Sequence, residues 1–248
     1  MFVIDVEKAS KTYQTSTGNV EAITEISFHV KPNEFVSIIG PSGCGKSSLL
    51  SMIAGLLFPS SGMISVNGAH VNGPMPDAVA IAFQEAALLP WRTVLRNVTL
   101  GLEVRDGISR NKMLETAEKY IDLVGLSGFE DKYPHHLSGG MKQRVAIARC
   151  LSLGTDILLL DEPFGALDEQ TRLVMGDELL RILAATPKTV ILVTHSIQEA
   201  VNLSDRVLVM SRRPGKIVQE IDIELPKPRK PSETAKYVEQ LWQLIRSS

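Results

Sequence analysis

The sequence is short of cysteine, of long apolar runs and of any excess of one charge, and each shortage removes a class of protein. Two cysteines, Cys44 and Cys150, cannot build a disulfide framework. The longest apolar stretches, such as Ala78–Phe83 and Ile157–Leu160, fall far below the ~18–20 residues that span a bilayer. The first residues, MFVIDVEK, lack the basic region and apolar core of a signal peptide. The expectation is a cytosolic chain that cannot cross a membrane by itself. Twenty-six Lys and Arg against 28 Asp and Glu leave a formal net charge of −2, so bulk charge does not hold a polyanion here. What remains, 44% hydrophobic and 22% charged over 248 residues, is the make-up of a globular protein of one large or two small domains. No segment repeats at a fixed period.

The first third reads as strands. Phe2–Lys8 and Val20–Val30 alternate roughly between apolar and polar, with the turn-rich QTSTGN between them. Glu34–Ile39 is a short apolar run entering a glycine-rich loop, and Ser47–Gly55 has helical spacing. Pro59–Asp77 reads as turns with a small strand or two. Val94–Arg105, Asn111–Val124 and a stretch from about Gly140 to Leu151 carry helical periodicity, so a helix-rich block interrupts the strands. After it, strands at 157–162 and 189–194 alternate with helices at Glu169–Ala185 and Ile197–Leu203. That alternation implies an α/β fold with a mainly parallel sheet. Arg206–Met210 and Ile217–Ile223 read as further strands, LPKPRKPS (225–232) as an extended basic linker, and Thr234–Ile245 as an amphipathic helix.

GPSGCGKS at 40–47 fits the G-x-x-x-x-G-K-[ST] phosphate loop and sits between a strand and a helix, as its chemistry requires. Gly40, Gly43 and Gly45, with Pro41, Ser42 and Cys44 between them, let successive N–H groups turn inward around phosphate oxygens. The helix that follows adds its positive end. Lys46 would reach the β- and γ-phosphates and the Ser47 hydroxyl would ligate Mg²⁺. Cys44 has two readings: a thiol activated by the helix end and the lysine, or a small space-filling residue.

ILLLDE at 157–162 ends a buried strand with two carboxylates, where α/β sheets bind ligands. Asp161 suits the Mg²⁺ role that accompanies a phosphate loop. Glu162 is the best candidate in the chain for a base that polarises the attacking water. His195 ends the next strand-like run, so a parallel sheet brings it to the same edge, where it can hold Glu162 or donate to a γ-phosphate oxygen. His135 and His136 lack partners at metal-ligand spacing, and no metal beyond Mg²⁺ is expected.

LSGGMKQR at 137–144 is the most informative stretch. Ser138 is a good N-cap, and Gly139 and Gly140 let a ligand approach the backbone at a helix start. One triphosphate does not need two such helix ends from the same chain. Here the sequence resembles the ATPase subunits of ABC transporters, over nearly its whole length and in the expected order. The resemblance implies a P-loop NTPase core with an N-terminal antiparallel β-subdomain and an inserted α-helical subdomain near 86–153. Residues 1–230 would form the ATPase domain and 231–248 a C-terminal linker and helix.

It further implies that Tyr13 stacks on adenine with Val20 beside it, and that residues 40–48, through Ser48, hold the phosphates. Gln84 becomes the Q-loop glutamine and an Mg²⁺ ligand, Glu162 the catalytic base and His195 the switch histidine. GALD at 165–168 resembles the D-loop, with Asp168 among the nucleotide-binding residues. In that family two subunits sit head to tail, so a homodimer, or a pair with a second ATPase subunit, is implied. Two positions depart from the pattern: Met141 stands where glutamine is usual, and Gly165 where serine is common.

EAALLPWRTVLRNV at 85–98 lies where the family receives a helix of its membrane subunits. Leu88, Leu89, Pro90 and Trp91 are either exposed anchors for that permease or residues packed inside the helical block. The resemblance points most closely to the nitrate/sulfonate/taurine importers, hence to a peripheral ATPase on the cytoplasmic face of the inner membrane, with ATP and Mg²⁺ as its ligands. A solute-binding protein completes such a complex, and nucleic acid is not expected as a partner. A mechanical ATPase of the same family, acting in lipid handling or envelope regulation, carries the same motifs. A P-loop kinase would need a lid in place of LSGG. A DNA-repair relative would need a coiled-coil insertion that 48–136 cannot hold.

Overall fold

Short apolar runs bounded by turns suit strands buried on both sides, and four such strands, with a fifth mostly buried beside them, make the centre of this protein. The structure, a computed structural model, describes residues 2–16, 18–165 and 167–247. In chain order the strands are β1 (Ile4–Thr15), β2 (Gly18–Val30), β3 (Phe35–Ile39), β4 (Ser61–Val66), β5 (Ala69–His70), β6 (Val79–Ala82), β7 (Ile157–Asp161), β8 (Thr189–Val193), β9 (Arg206–Met210) and β10 (Ile217–Asp222). The helices are α1 (Lys46–Ile53), α2 (Val94–Val98), α3 (Arg110–Leu123), α4 (Gly139–Ser152), α5 (Glu169–Ala185), α6 (Ile197–Leu203) and α7 (Pro231–Ser247).

The larger sheet runs β10-β9-β3-β8-β7-β6. Its strands from β9 to β6 are parallel, and only the edge strand β10 is antiparallel. β3, β7, β8 and β9 are buried at every position. Each fully buried Val, Leu or Ile contributes about 1.5–3 kcal/mol of burial energy, which fixes this layer ahead of anything around it. The smaller sheet, β2-β1-β4-β5, is antiparallel, as the alternation in the first third suggests.

Three apolar clusters follow. One lies between the two sheets and includes Ile4, Ile26, Phe28, Leu49 and Ile191. A second joins the sheet to α2, α3 and α4 through Leu158, Leu160, Phe164, Val94, Ile121, Val145 and Leu151. The helix-rich block is thus packed onto the β6–β7 side of the sheet. The third cluster lies under α6 and α7.

The structure departs from the sequence reading in four places. β1 continues beyond Lys8 to Thr15, so that Tyr13 pairs with Val20 and the turn tightens around residue 16; Thr17 of that turn lies outside the described residues. Ala78–Phe83 contains a strand, β6, that alternation did not reveal. Val94–Arg105 is not one helix: α2 stops at Val98 and a 3₁₀ turn covers Thr99–Gly101. The buried Asn97 explains part of this, because its side-chain amide donates to the carbonyls of Leu89, Arg92 and Thr93 and accepts from the Leu89 N–H. A side chain spent on the preceding loop fixes where the helix begins.

The fourth departure is the C-terminal stretch. Proline at its first position opens α7 at Pro231, earlier than the apolar spacing indicates. Before it, the Arg229 guanidinium donates to the carbonyls of Val201, Ser204, Ile223 and Leu225, so this stretch is tied to the body of the protein. Leu241 of α7 is fully buried against Ile39, Val207 and Val209. Leu241→Ala should therefore cost about 2–5 kcal/mol. Denaturant unfolding of the full chain checks this, and an unchanged midpoint would mean that α7 does not pack on the sheet.

Candidate nucleotide site

A parallel sheet delivers the carboxyl ends of its strands to one edge, and here each end carries a polar residue. β3 leads into Gly40–Ser47, β6 into Gln84, β7 into Glu162 and β8 into His195. Two further hydrogen bonds continue the ladder past the strands: Glu162 N–H to the Val193 carbonyl at 2.8 Å, and Thr194 N–H to the Ile38 carbonyl at 3.2 Å. The backbone that carries the site is therefore part of the sheet.

The phosphate loop depends on its glycines at two points. A Cβ at Gly40 would lie 2.7 Å from the Met210 carbonyl oxygen, because β9 runs alongside. Gly45 caps α1 at φ 107°, and a Cβ there would meet Ile23 at 2.7 Å. Lys46 is buried and folds back, donating from Nζ to the carbonyls of Gly40 at 2.9 Å and Pro41 at 3.0 Å. Ser47 Oγ donates to Asp161 Oδ1 at 3.1 Å. Burial pushes the Asp161 carboxyl upward and the nearby Glu162 adds to this, against the Ser47 hydrogen bond and the Lys46 charge. A cation at this edge would relieve that penalty.

Glu162 stands at the centre of the second group. It has φ 46°, in the left-handed region, which turns it away from the strand direction of Asp161. Its Oε2 accepts from Gln84 Nε2 at 3.3 Å and lies 3.1 Å from His195 Nδ1. Gly165 leaves this carboxylate room, since a Cβ there would lie 3.6 Å from Oε2, an ordinary contact that a serine could also make. Tyr13 extends from β1 to place its hydroxyl 2.9 Å from Ser48 Oγ.

The remaining predicted residues lie elsewhere. Ser138 caps α4, its Oγ accepting from the Met141 N–H at 3.3 Å. Ser138, Gly139, Gly140, Leu167 and Asp168 line a separate cavity of about 480 Å³ that none of residues 40–48 reaches. Both Asp168 oxygens accept from Thr171, from its N–H at 2.9 Å and its hydroxyl at 2.7 Å, which caps α5 and holds the carboxyl below its usual range. Ala166, within the GALD motif, lies outside the described residues. The chain therefore carries two anion-receptive helix ends on different surfaces.

Residues 23–165, more than half of the chain, match the family described as ABC transporter. The chain belongs to the ABC transporter family. Among its relatives, an uncharacterised ABC transporter ATP-binding protein of Methanocaldococcus jannaschii is 48% identical over 98% of this chain and 91% of its own length. The nitrate import ATP-binding protein NrtD of Synechocystis is 42% identical over 98% of this chain and 95% of the relative. The aliphatic sulfonates import ATP-binding protein SsuB of Bacillus cereus is 44% identical over 91% and 88%. Among solved structures, the dimeric post-hydrolysis state of an ATP-binding cassette bound to ADP and Pi superposes with a TM-score of 0.82 at 30% identity, covering 90% of this chain and all of that one. This ABC subunit is an ATPase.

The oxygens at the edge fit Mg²⁺. A hydroxyl and one carboxylate form a hard, partial donor set that leaves positions for phosphate oxygens and water. Among the described residues no group of three or more His, Cys, Asp or Glu could hold a metal. Gln84, predicted as a third ligand, has its amide nitrogen engaged by Glu162.

Sequence reasoning missed the groups that hold the Gln84 loop. Gln143, buried in α4, donates to the Phe83 carbonyl at 3.1 Å, and Arg149 donates to those of Ala86 and Ala87. A glutamine on a helix face shared with Ala146, Ile147 and Cys150 was the available signal. Of the two readings of Cys44, burial selects space-filling. Its side chain is buried and its thiol pushed upward, the Lys46 charge only partly offsetting desolvation. Burial pushes Cys150 up to about 12. Both thiols are buried, so iodoacetamide should label neither in the folded protein and both after denaturation. Rapid native labelling at Cys44, read by mass spectrometry, would overturn this assignment.

Proposed function

We propose that this chain is the ATP-hydrolysing subunit of an importer for a small solute, an anion such as nitrate, a sulfonate or taurine. One observation carries the hydrolytic reading: the Glu162 carboxylate, met by Gln84 and His195, at the edge that also carries Lys46, Ser47 and Asp161. The nitrate and aliphatic sulfonate relatives support import and the kind of solute.

In this reading the N–H groups of Gly40–Ser48 cradle the phosphates, and Lys46 leaves the Gly40 and Pro41 carbonyls to meet the β- and γ-phosphates. Ser47, Asp161 and Gln84 would hold Mg²⁺, which neutralises charge on the phosphates when bound. Glu162 accepts a hydrogen bond from the attacking water and orients it at the γ-phosphorus. His195 keeps Glu162 in place and donates to a γ-phosphate oxygen. Tyr13 and Val20 offer a flat apolar face to adenine.

Ser138–Gly140 and Asp168 serve a second nucleotide, held by Lys46 of another copy or of a second ATPase subunit. This arrangement gives both helix ends a ligand, and the dimeric cassettes of the family support it. Residues 1–230 are the ATPase domain, residues about 86–153 its helical subdomain, and the C-terminal unit expected at 231–248 is α7 without a linker, since the helix opens at Pro231. Membrane subunits dock at the surface around Leu88, Leu89 and Trp91. Leu88 packs partly into the second cluster, whereas Trp91 is 72% exposed. The subunit sits at the cytoplasmic face of the inner membrane, and a solute-binding protein completes the importer.

Glu162→Gln should retain ATP affinity, slow hydrolysis by about 10²–10⁴-fold and trap a dimer on size-exclusion chromatography with ATP. Undiminished turnover would remove Glu162 as base. Trp91→Ala should weaken co-purification with the membrane subunits by about 2 kcal/mol while leaving ATP binding by the isolated subunit unchanged. An undisturbed complex would move the docking surface elsewhere.

A further inference from the structure

His195 has a demanding position and little packing to hold it. Its side chain is 54% exposed, yet its Nδ1 must stay within reach of Glu162 Oε2. What fixes it is the pair of residues on either side. The Thr194 hydroxyl donates to Glu199 Oε2 at 2.5 Å and accepts from the Ser196 N–H at 3.0 Å. Ser196 Oγ in turn accepts from the Glu199 N–H at 3.3 Å and caps α6. Both neighbours of His195 are thus tied to Glu199.

Glu199 is only 9% exposed, and its other oxygen lies 3.2 Å from Arg172 Nε on α5. Arg172 also donates from Nη2 to the Leu167 carbonyl at 3.0 Å, next to the Asp168 that caps the same helix. A continuous run of contacts therefore links residue 167, beside the LSGG cavity, to the segment that carries His195. Burial pushes the Glu199 carboxyl upward, and Thr194 and Arg172 hold it down. A glutamine could still accept the Thr194 bond, so that bond alone does not call for a charge at this position. What it adds over a neutral amide is a charge attraction to Arg172, whose Nε–H makes no hydrogen bond of its own.

We infer that Glu199, braced by Arg172, is a positioning residue that sets His195 against Glu162 for ATP hydrolysis. The inference rests on the roles given above to His195 and Glu162. Neither Glu199 nor Arg172 touches nucleotide in this reading; both act through the 194–196 segment. Because Arg172 also grips residue 167, the pair makes the set of His195 depend on the geometry of the 165–168 loop.

The test is a double-mutant cycle on the full chain, read by single-turnover ATP hydrolysis, by affinity for a fluorescent ATP analogue and by thermal midpoint. Glu199→Gln and Arg172→Met should each slow hydrolysis about tenfold or more, with analogue affinity within about twofold of wild type. Arg172→Lys, which keeps the charge, should recover part of the rate if Arg172→Met folds poorly. Adding Glu199→Gln to His195→Ala should cause no further loss. A second tenfold loss in that background would overturn the inference, as would an effect confined to affinity or to thermal midpoint. A wild-type rate in Glu199→Gln alongside a slow His195→Ala would remove the positioning role alone. A wild-type rate in His195→Ala would remove the underlying role of His195 as well.

Discussion

The parallel register of the buried strands is the constraint on which the rest depends. Leu160 lies opposite Leu192, Val193 opposite Ile38, and Ile39 opposite Val209. Shifting any of these pairs by one residue would exchange the side chains packed on the two faces and move a site residue by the rise of one residue, about 3.3 Å. The distances around Glu162 are therefore set by hydrophobic packing several residues away. That is why residues far apart in sequence can hold a carboxylate within hydrogen-bond geometry without a loop of their own to do it.

Much of this layer could be read from residue types. Fully buried strands such as TVILV admit few alternatives, and α5 and α6 begin and end where spacing and N-caps place them. The phosphate loop, Asp161, Glu162 and His195 were legible because each follows such a strand. What was not legible depends on long-range partners. β6 is four residues long, hemmed by Pro74, Pro76 and Asp77, and is a strand because β7 lies beside it. α2 begins at Val94 because Asn97 holds the carbonyls of the loop just before it. Gln143, Arg149 and Arg229 hold carbonyls up to tens of residues away, a role that no local pattern announces.

The division between the two anion-receptive surfaces gives the local chemistry its direction. Lys46 and Glu162 belong to the sheet edge, whereas Ser138 belongs to a helix packed on the second apolar cluster. The Gln84 loop runs between them, with its glutamine on Glu162 and its backbone carbonyls on α4. The helical block is thus held to the sheet by the second apolar cluster and, at the site, by this one polar loop.

The C-terminal helix acquires a meaning beyond its own stability from the residue it covers. Leu241 shares a cluster with Ile39, and Ile39 is the residue immediately before Gly40, where the phosphate loop begins. The final turns of the chain thus act as the backstop for the strand that aims the loop. A truncation placed after residue 224 alters more than a tail: it takes away the apolar cover of Ile39, one residue before the nucleotide cradle.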